Sequence, residues 1–251
     1  MLSGSASGIG AAVRGRLERD GCRVLGVDLR DAEVIADLSA PEGRERAVAG
    51  VQALAERVDG VVACAGIGPQ AEPRARIASV NYFGATALLA GLRPLLARGD
   101  APAAVAVSSN SATISPGADG PLAAACLADD EAGALRLAAE LDGATVYAAA
   151  KLALARWVRR RAPHADWAGS GIRLNAVAPG AVHTPLLQGG LDHPVLGAAI
   201  RGFPIPLGGF GRPEQIAAAV AFLLSGDASF CCGSVLFADG GSDALLRADV
   251  F

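Results

Sequence analysis

A chain of 251 residues is long enough to bury one large core, and 52% hydrophobic against 19% charged residues rules out disorder as its general state. No apolar run approaches the roughly 18 residues of a membrane-spanning helix. The net charge of −3, with Arg159-Arg160-Arg161 as the densest basic run, argues for a solvated helix end and against a nucleic-acid surface.

In chain order, residues 1–3 leave almost no length for a first strand, so either the true start lies further upstream or the strand is a stub and the loop behind it is weakly anchored. Gly4-Ser5-Ala6-Ser7-Gly8-Ile9-Gly10 then opens a helix predicted over 9–20. Glycines at this spacing let a backbone approach a pyrophosphate, whose charge the helix N-terminus meets. Three spaced glycines alone are weak evidence in a chain with 32 of them, but the next strand, over 23–28, ends in an acid. Asp28 stands where a carboxylate accepts from ribose hydroxyls and repels a 2′-phosphate, which favours NAD over NADP, with Arg30 as the contrary cation. Further helices are predicted over 41–57, 76–96, 147–162 and 212–224, and further strands over 60–65, 103–108, 172–178 and 234–238. The strands are short and mostly apolar, as strands buried on both faces are. Their alternation with helices predicts a single-domain α/β, Rossmann-like, doubly wound parallel sheet over 1–251, with helices on both faces and a ligand beyond the strand carboxyl ends. The five cysteines include no C-x-x-C pair, and no histidine lies at ligand spacing, so neither a disulfide framework nor a metal is expected. With no signal-peptide pattern at the start, a cytoplasmic location is expected.

Lys151 is the only lysine among 22 basic residues, four positions after Tyr147, one of two tyrosines. In a chain this biased toward arginine, a retained lysine points to work that a planar guanidinium cannot do. On a helix the two side chains share a face, roughly 5–6 Å apart at Cβ. A cation that close is expected to lower the phenol's pKa and ready it for proton transfer. A solvated helix pair is the ordinary alternative. Ser108, Ser109 and Ser111 end the strand at 103–108, and alternation allows one of the adjacent pair to face a pocket.

The glycine run, Asp28, Asn81, Tyr147 and Lys151 together resemble the short-chain dehydrogenase/reductase family over nearly the whole chain. So do Asp37-Leu38, Cys64-Ala65-Gly66 and Val80-Asn81-Tyr82-Phe83-Gly84, as well as Pro179-Gly180-Ala181-Val182-His183-Thr184 and Asp239-Gly240-Gly241. Cys64 stands where the family has asparagine. The resemblance implies NAD as cofactor, held by Gly4–Gly10, Asp28, Asp37, Leu38, Cys64, Ala65, Gly66, Tyr147, Lys151, Pro179, Gly180, Val182 and Thr184. It implies catalysis by Ser109 (Ser108 being the rival), Tyr147 and Lys151, with Asn81 distorting its helix and relaying a proton toward Lys151. Tyr82 is expected to pack, and His183 either lines the pocket or faces solvent.

A narrower likeness to bacterial 3α-hydroxysteroid dehydrogenase/carbonyl reductases rests on residues 27–38, 65–70 and 184–188 and on the long separation of Ser109 from Tyr147. The extra segment, about 115–143, is expected to add helices before the catalytic one. A relative oxidising coniferyl-type aryl alcohols would share these motifs, and a non-catalytic nucleotide sensor is the rival of another class. Residues 183–211, apolar and poor in charge, read as a long loop closing over a bulky apolar alcohol or ketone. With the extra helices over 76–96 and 147–162, pairing is expected as a homodimer through 212–224 and 234–238.

Overall fold

The computed structural model, which describes residues 1–250, places a strand of two residues at the centre of the sheet. β1 (Leu2–Ser3) pairs in parallel with β2 (Gly26–Asp28) on one side, and Leu2 also lies opposite Val62 of the neighbour across the other side. Contacts outside the ladder compensate for its shortness. Leu2 is fully buried, and Ser3 Oγ accepts from the N–H groups of Cys64 and Ala65, both at 3.1 Å. The glycine loop is therefore anchored through the next strand's end, not through the length of its own.

β3 (Val34–Ile35), β4 (Gly60–Ala63), β5 (Ala103–Val107), β6 (Arg173–Pro179) and β7 (Val235–Ala238) complete an all-parallel sheet of seven strands in the order β3-β2-β1-β4-β5-β6-β7. The chain thus has the expected single-domain α/β fold, with the reversal of strand order between β1 and β4 opening a crevice at the carboxyl ends. β3 has no counterpart in the sequence reading, because two residues at an edge carry no periodic signal.

The connecting helices are α1 (Gly8–Arg19), α2 (Pro41–Leu54), α3 (Ala75–Ala78), α4 (Ala85–Leu96), α5 (Ser111–Ile114), α6 (Pro121–Leu127), α7 (Glu131–Glu140), α8 (Gly143–Arg161), α9 (Pro185–Asp192), α10 (Leu196–Arg201), α11 (Pro213–Leu224) and α12 (Ser242–Leu246). α1 and α11 cover one face of the sheet, packing Val13, Ile216, Val220 and Leu223 on Leu2, Val62 and Val105. α2, α4 and α8 cover the other, where Leu88, Leu92, Leu154 and Val158 meet Val61, Ala104 and Leu174. This second core continues outward through Leu122, Cys126, Ala134 and Ala138, because α6 and α7 lie on α8 and α3 as the extra segment was expected to do.

Several expected boundaries shift; the strand over 23–28 shrinks to β2 and the helix over 41–57 ends at Leu54, and three further changes shape the site. The helix over 76–96 is interrupted by a π-helical turn at Ser79–Gly84, which separates α3 from α4. α8 begins at Gly143, ahead of the expected 147, because Asp142 caps it: its carboxylate accepts from Thr145 N at 3.0 Å and from Thr145 Oγ1 at 2.7 Å. The segment 183–211 is no plain loop but carries α9 and α10, the first capped by Thr184, whose hydroxyl accepts from Leu187 N at 3.1 Å. No helix among the described residues is long and apolar enough to cross a membrane.

Candidate active site

A single cavity of about 850 Å³ opens at the carboxyl ends of β1, β2, β4, β5 and β6 and runs under α9 and α10. At one end the glycine loop forms its wall. Gly4 has φ +69°, and a Cβ there would meet Ala65 Cα at 2.8 Å, so only glycine can turn and pack at that point. A Cβ on Gly10 would fall 1.9 Å from Gly4 O, which ties the first turn of α1 to the loop. Gly8 faces the Thr184 side chain across the crevice.

The Asp28 carboxylate accepts from Ala6 N at 2.9 Å and from Leu29 N at 2.7 Å, and it borders the cavity with lone pairs to spare. It therefore orders the glycine loop as well as ending β2. Asp37 and Leu38 line the same end; a backbone hydrogen bond from Ser39 holds the Asp37 carboxyl below its ordinary value, with Arg76 adding to the effect. Cys64, Ala65, Gly66, Pro179, Gly180 and Val182 line the middle. Burial pushes the Cys64 thiol up to about 12, so it stays a neutral thiol.

The chemical groups meet where β5 ends against α8. Lys151, buried, donates from Nζ to Val107 O at 2.7 Å and lies 5.9 Å from the centre of the Tyr147 ring. Burial lowers its pKa from 10.5 to about 8, partly opposed by the nearby Cys64. Burial also raises the Tyr147 phenol, while a hydrogen bond with the Ser109 side chain pulls it back. The lowering expected from the lysine is thus overturned here: desolvation of the phenolate dominates, and the ammonium is directed at a carbonyl.

Alternation along β5 separates the two serines. Ser108 Oγ donates to Lys151 O at 2.8 Å, fixing the helix, whereas the Ser109 hydroxyl meets Tyr147. Asn81 lies in the π-helical turn, fully buried, with Oδ1 accepting from Ile67 N and Nδ2 donating to Ile67 O, both at 2.9 Å. A Cβ on Gly66 would meet Asn81 Oδ1 at 3.1 Å and Lys151 Nζ at 3.5 Å, so the turn and the lysine close on one glycine.

Over 255 aligned residues, 100% of this chain and 98% of the other, the sequence is 46% identical to the 3-alpha-hydroxysteroid dehydrogenase/carbonyl reductase of Comamonas testosteroni. The chain belongs to the short-chain dehydrogenase/reductase family. Within that family, the crystal structure of the 3-alpha-hydroxysteroid dehydrogenase from Pseudomonas sp. B-0831 complexed with NADH superposes with a TM-score of 0.96 at 49% identity, covering 99% of this chain and 98% of that one. The 3-ketoacyl-(acyl-carrier-protein) reductase from Brucella melitensis, also complexed with NADH, gives 0.73 at 26% identity over 96% of each chain. A family model described as enoyl-(acyl carrier protein) reductase matches residues 131–243.

In this short-chain dehydrogenase/reductase several of the expected residues stand away from the cavity. Ser5 does not line the cavity; its hydroxyl is buried beneath the glycine loop without a hydrogen-bond partner, against the space left by Gly26. Asn81 does not line it either; its amide holds the Ile67 loop directly, from within the helical distortion expected of it. Of the two places open to His183 it takes the solvent-facing one, exposed and edge-on against Phe210 at 5.3 Å.

Two residues were missed. Arg44, buried, donates to Leu38 O at 2.9 Å and makes paired bonds of 2.7 and 2.6 Å with Glu131 of α7, clamping the Asp37-Leu38 loop to the extra segment. Gln70 lines the cavity and donates to Leu186 O of α9 at 3.2 Å. The partners lie 87 and 116 residues away, beyond any spacing rule.

Proposed function

We propose that this short-chain dehydrogenase/reductase is an NAD-dependent oxidoreductase that interconverts a secondary alcohol and its ketone on a bulky apolar substrate, best represented by a 3α-hydroxysteroid. The observation that carries this reading is one cavity in which the glycine loop and Asp28 stand at one end and Ser109, Tyr147 and Lys151 in the middle. The far end is walled by Ile114, Pro116, Leu186, Leu196, Ile200 and Phe203. That lining suits fused carbocycles and offers a sugar or an organic acid few polar partners.

The cradle fits a dinucleotide: glycines leave the loop backbone open to a pyrophosphate, and the free lone pairs of Asp28 suit ribose hydroxyls. When bound, NAD supplies or accepts the hydride at the substrate carbon. For reduction, Tyr147, kept a neutral phenol by burial, gives its proton to the carbonyl oxygen, and Ser109 donates a hydrogen bond to the same atom. For oxidation, the alcohol proton passes to the Tyr147 oxygen as the phenolate. Lys151 supplies positive charge beside that phenolate and a donor toward the nicotinamide ribose. Asn81 positions the Ile67 loop and Gly66 against Lys151.

Turnover of NAD with a panel of 3α-hydroxysteroids and coniferyl-type aryl alcohols, followed by NADH absorbance, tests the reading. Preference for the aryl alcohols selects the alternative substrate class, and NAD binding without turnover of any member selects a sensor. On cofactor choice, kcat/KM is expected to favour NAD over NADP, and equal values would mean that Arg30 outweighs Asp28.

The protein acts as a homodimer in the cytoplasm, where five free cysteines fit a reducing compartment. α6 and α7 cover the flank of α8. Phe222 of α11 and Leu236 of the edge strand β7 remain exposed, and that surface is the dimer contact. Light scattering showing a tetramer would exclude this assembly.

A further inference from the structure

Ser109 owes its orientation to a residue that no role above uses. Ser109 Oγ accepts from Ser111 N at 3.2 Å and from Ser111 Oγ at 2.9 Å. A serine hydroxyl has one proton to give and two lone pairs to receive with. One residue, two positions on, fills both receiving positions. The single proton left is available to Tyr147, whose phenol the Ser109 side chain pulls down against burial. Ser111 itself borders the cavity from the start of α5.

We infer that Ser111 is a positioning residue that makes Ser109 a donor only, and thereby decides which group receives the substrate proton. The inference rests on the role given to Ser109 under Proposed function. In ketone reduction, Ser109 polarises the carbonyl oxygen while the proton comes from Tyr147; no proton leaves Ser109. In alcohol oxidation, the substrate hydroxyl accepts from Ser109 and finds no lone pair there to donate to. Its O–H bond therefore turns to the Tyr147 phenolate, which takes the proton as the hydride leaves the carbon for NAD. Removal of the Ser111 hydroxyl frees one lone pair on Ser109. The alcohol then binds mostly with its proton directed at Ser109, an orientation from which the transfer to Tyr147 does not proceed.

The test compares Ser111→Ala, Ser111→Thr and Ser109→Ala with the wild type, using NAD(H) and the best alcohol and ketone pair. For Ser111→Ala the melting temperature and NAD affinity are expected to stay as in wild type. Its kcat for oxidation is expected to fall about tenfold, less than the roughly hundredfold typical of deleting a donor itself. KM for the alcohol falls by the same factor, so that kcat/KM is kept, which is the mark of nonproductive binding, and the reduction rate changes much less. Ser111→Thr, which restores a hydroxyl, recovers most of the oxidation rate. A merely structural role would lower both directions together and leave threonine no better than alanine, and either result overturns the inference. So does a Ser111→Ala enzyme that oxidises at the wild-type rate while Ser109→Ala is inactive. Wild-type turnover by Ser109→Ala overturns the assignment of Ser109 itself, a result distinct from failure at Ser111.

Discussion

The two ends of the cavity are built by different means. Around Gly4–Gly10 the wall is main chain: a positive φ at Gly4, a glycine at 10 that touches the Gly4 carbonyl, and a carboxylate at Asp28 bonded to the Ala6 and Leu29 N–H groups. Around the substrate end the wall is side chain, contributed by the root of the extra segment at Ile114 and Pro116 and by α9 and α10. A backbone site tolerates almost no substitution but demands few particular side chains. A side-chain site tolerates exchange, and each exchange resets the ligand. Between them, Tyr147 and Lys151 stand on α8 and Ser109 just beyond the end of β5, so regular elements support all three.

The largest effect is expected at that junction. Tyr147→Phe keeps the ring and loses the proton donor, so kcat should fall by about 10²–10⁴ while NAD affinity holds; a smaller loss would move the acid elsewhere. Because burial raises the phenol above its ordinary 10.0, reduction should persist through neutral pH and decline as the phenol ionises, with oxidation rising over the same range. A pH profile with oxidation flat across that range would contradict the assignment.

Next comes the backbone end. Gly10→Ala puts a methyl group onto the Gly4 carbonyl, an overpacking cost of roughly 1–3 kcal/mol. NAD affinity, read by fluorescence titration, should weaken by about tenfold or more, whereas a wild-type affinity would show that the loop yields. Lys151 distinguishes chemistry from stability. Lys151→Arg retains the charge but not the compact ammonium, and kcat should drop well over tenfold with the fold intact.

In Lys151→Met the buried cation is gone. A lysine at about 8 in the folded chain and near 10.5 unfolded holds its proton longer in the unfolded state, so wild-type stability gains on the variant as pH rises between those values. The relative gain should reach roughly 3 kcal/mol by urea unfolding, and parallel curves for the two proteins would show that the lysine is not desolvated. The smallest effect belongs to the side-chain wall. Ile200→Ser should raise KM for a steroid several-fold, leaving kcat and NAD affinity nearly unchanged. A loss confined to kcat would place Ile200 closer to the chemistry than the wall of α10.

Much of this is legible in the amino-acid sequence alone, for physical reasons that sort the residues cleanly. Apolar runs alternating with helical stretches predict a parallel sheet, because strands covered on both faces have no polar side to show. Gly4, Gly8 and Gly10 announce a tight phosphate turn, and the spacing of Tyr147 and Lys151 announces a shared helix face, because both depend on backbone geometry within a few residues. What only the tertiary structure decided depends on partners distant in sequence or on burial. The choice between Ser108 and Ser109 needed α8 in place, since only Lys151 O and Tyr147 distinguish the two hydroxyls.

The inward turn of Ser5 followed from the packing of Gly26, and the interruption of the helix at Ser79–Gly84 accompanies the pairing of Asn81 with Ile67. The Arg44–Glu131 clamp joins residues 87 apart. The sign of the shift at Tyr147 reversed because spacing reveals how near a charge stands but not how dry the site is, and here desolvation dominates, opposed by the Ser109 hydrogen bond.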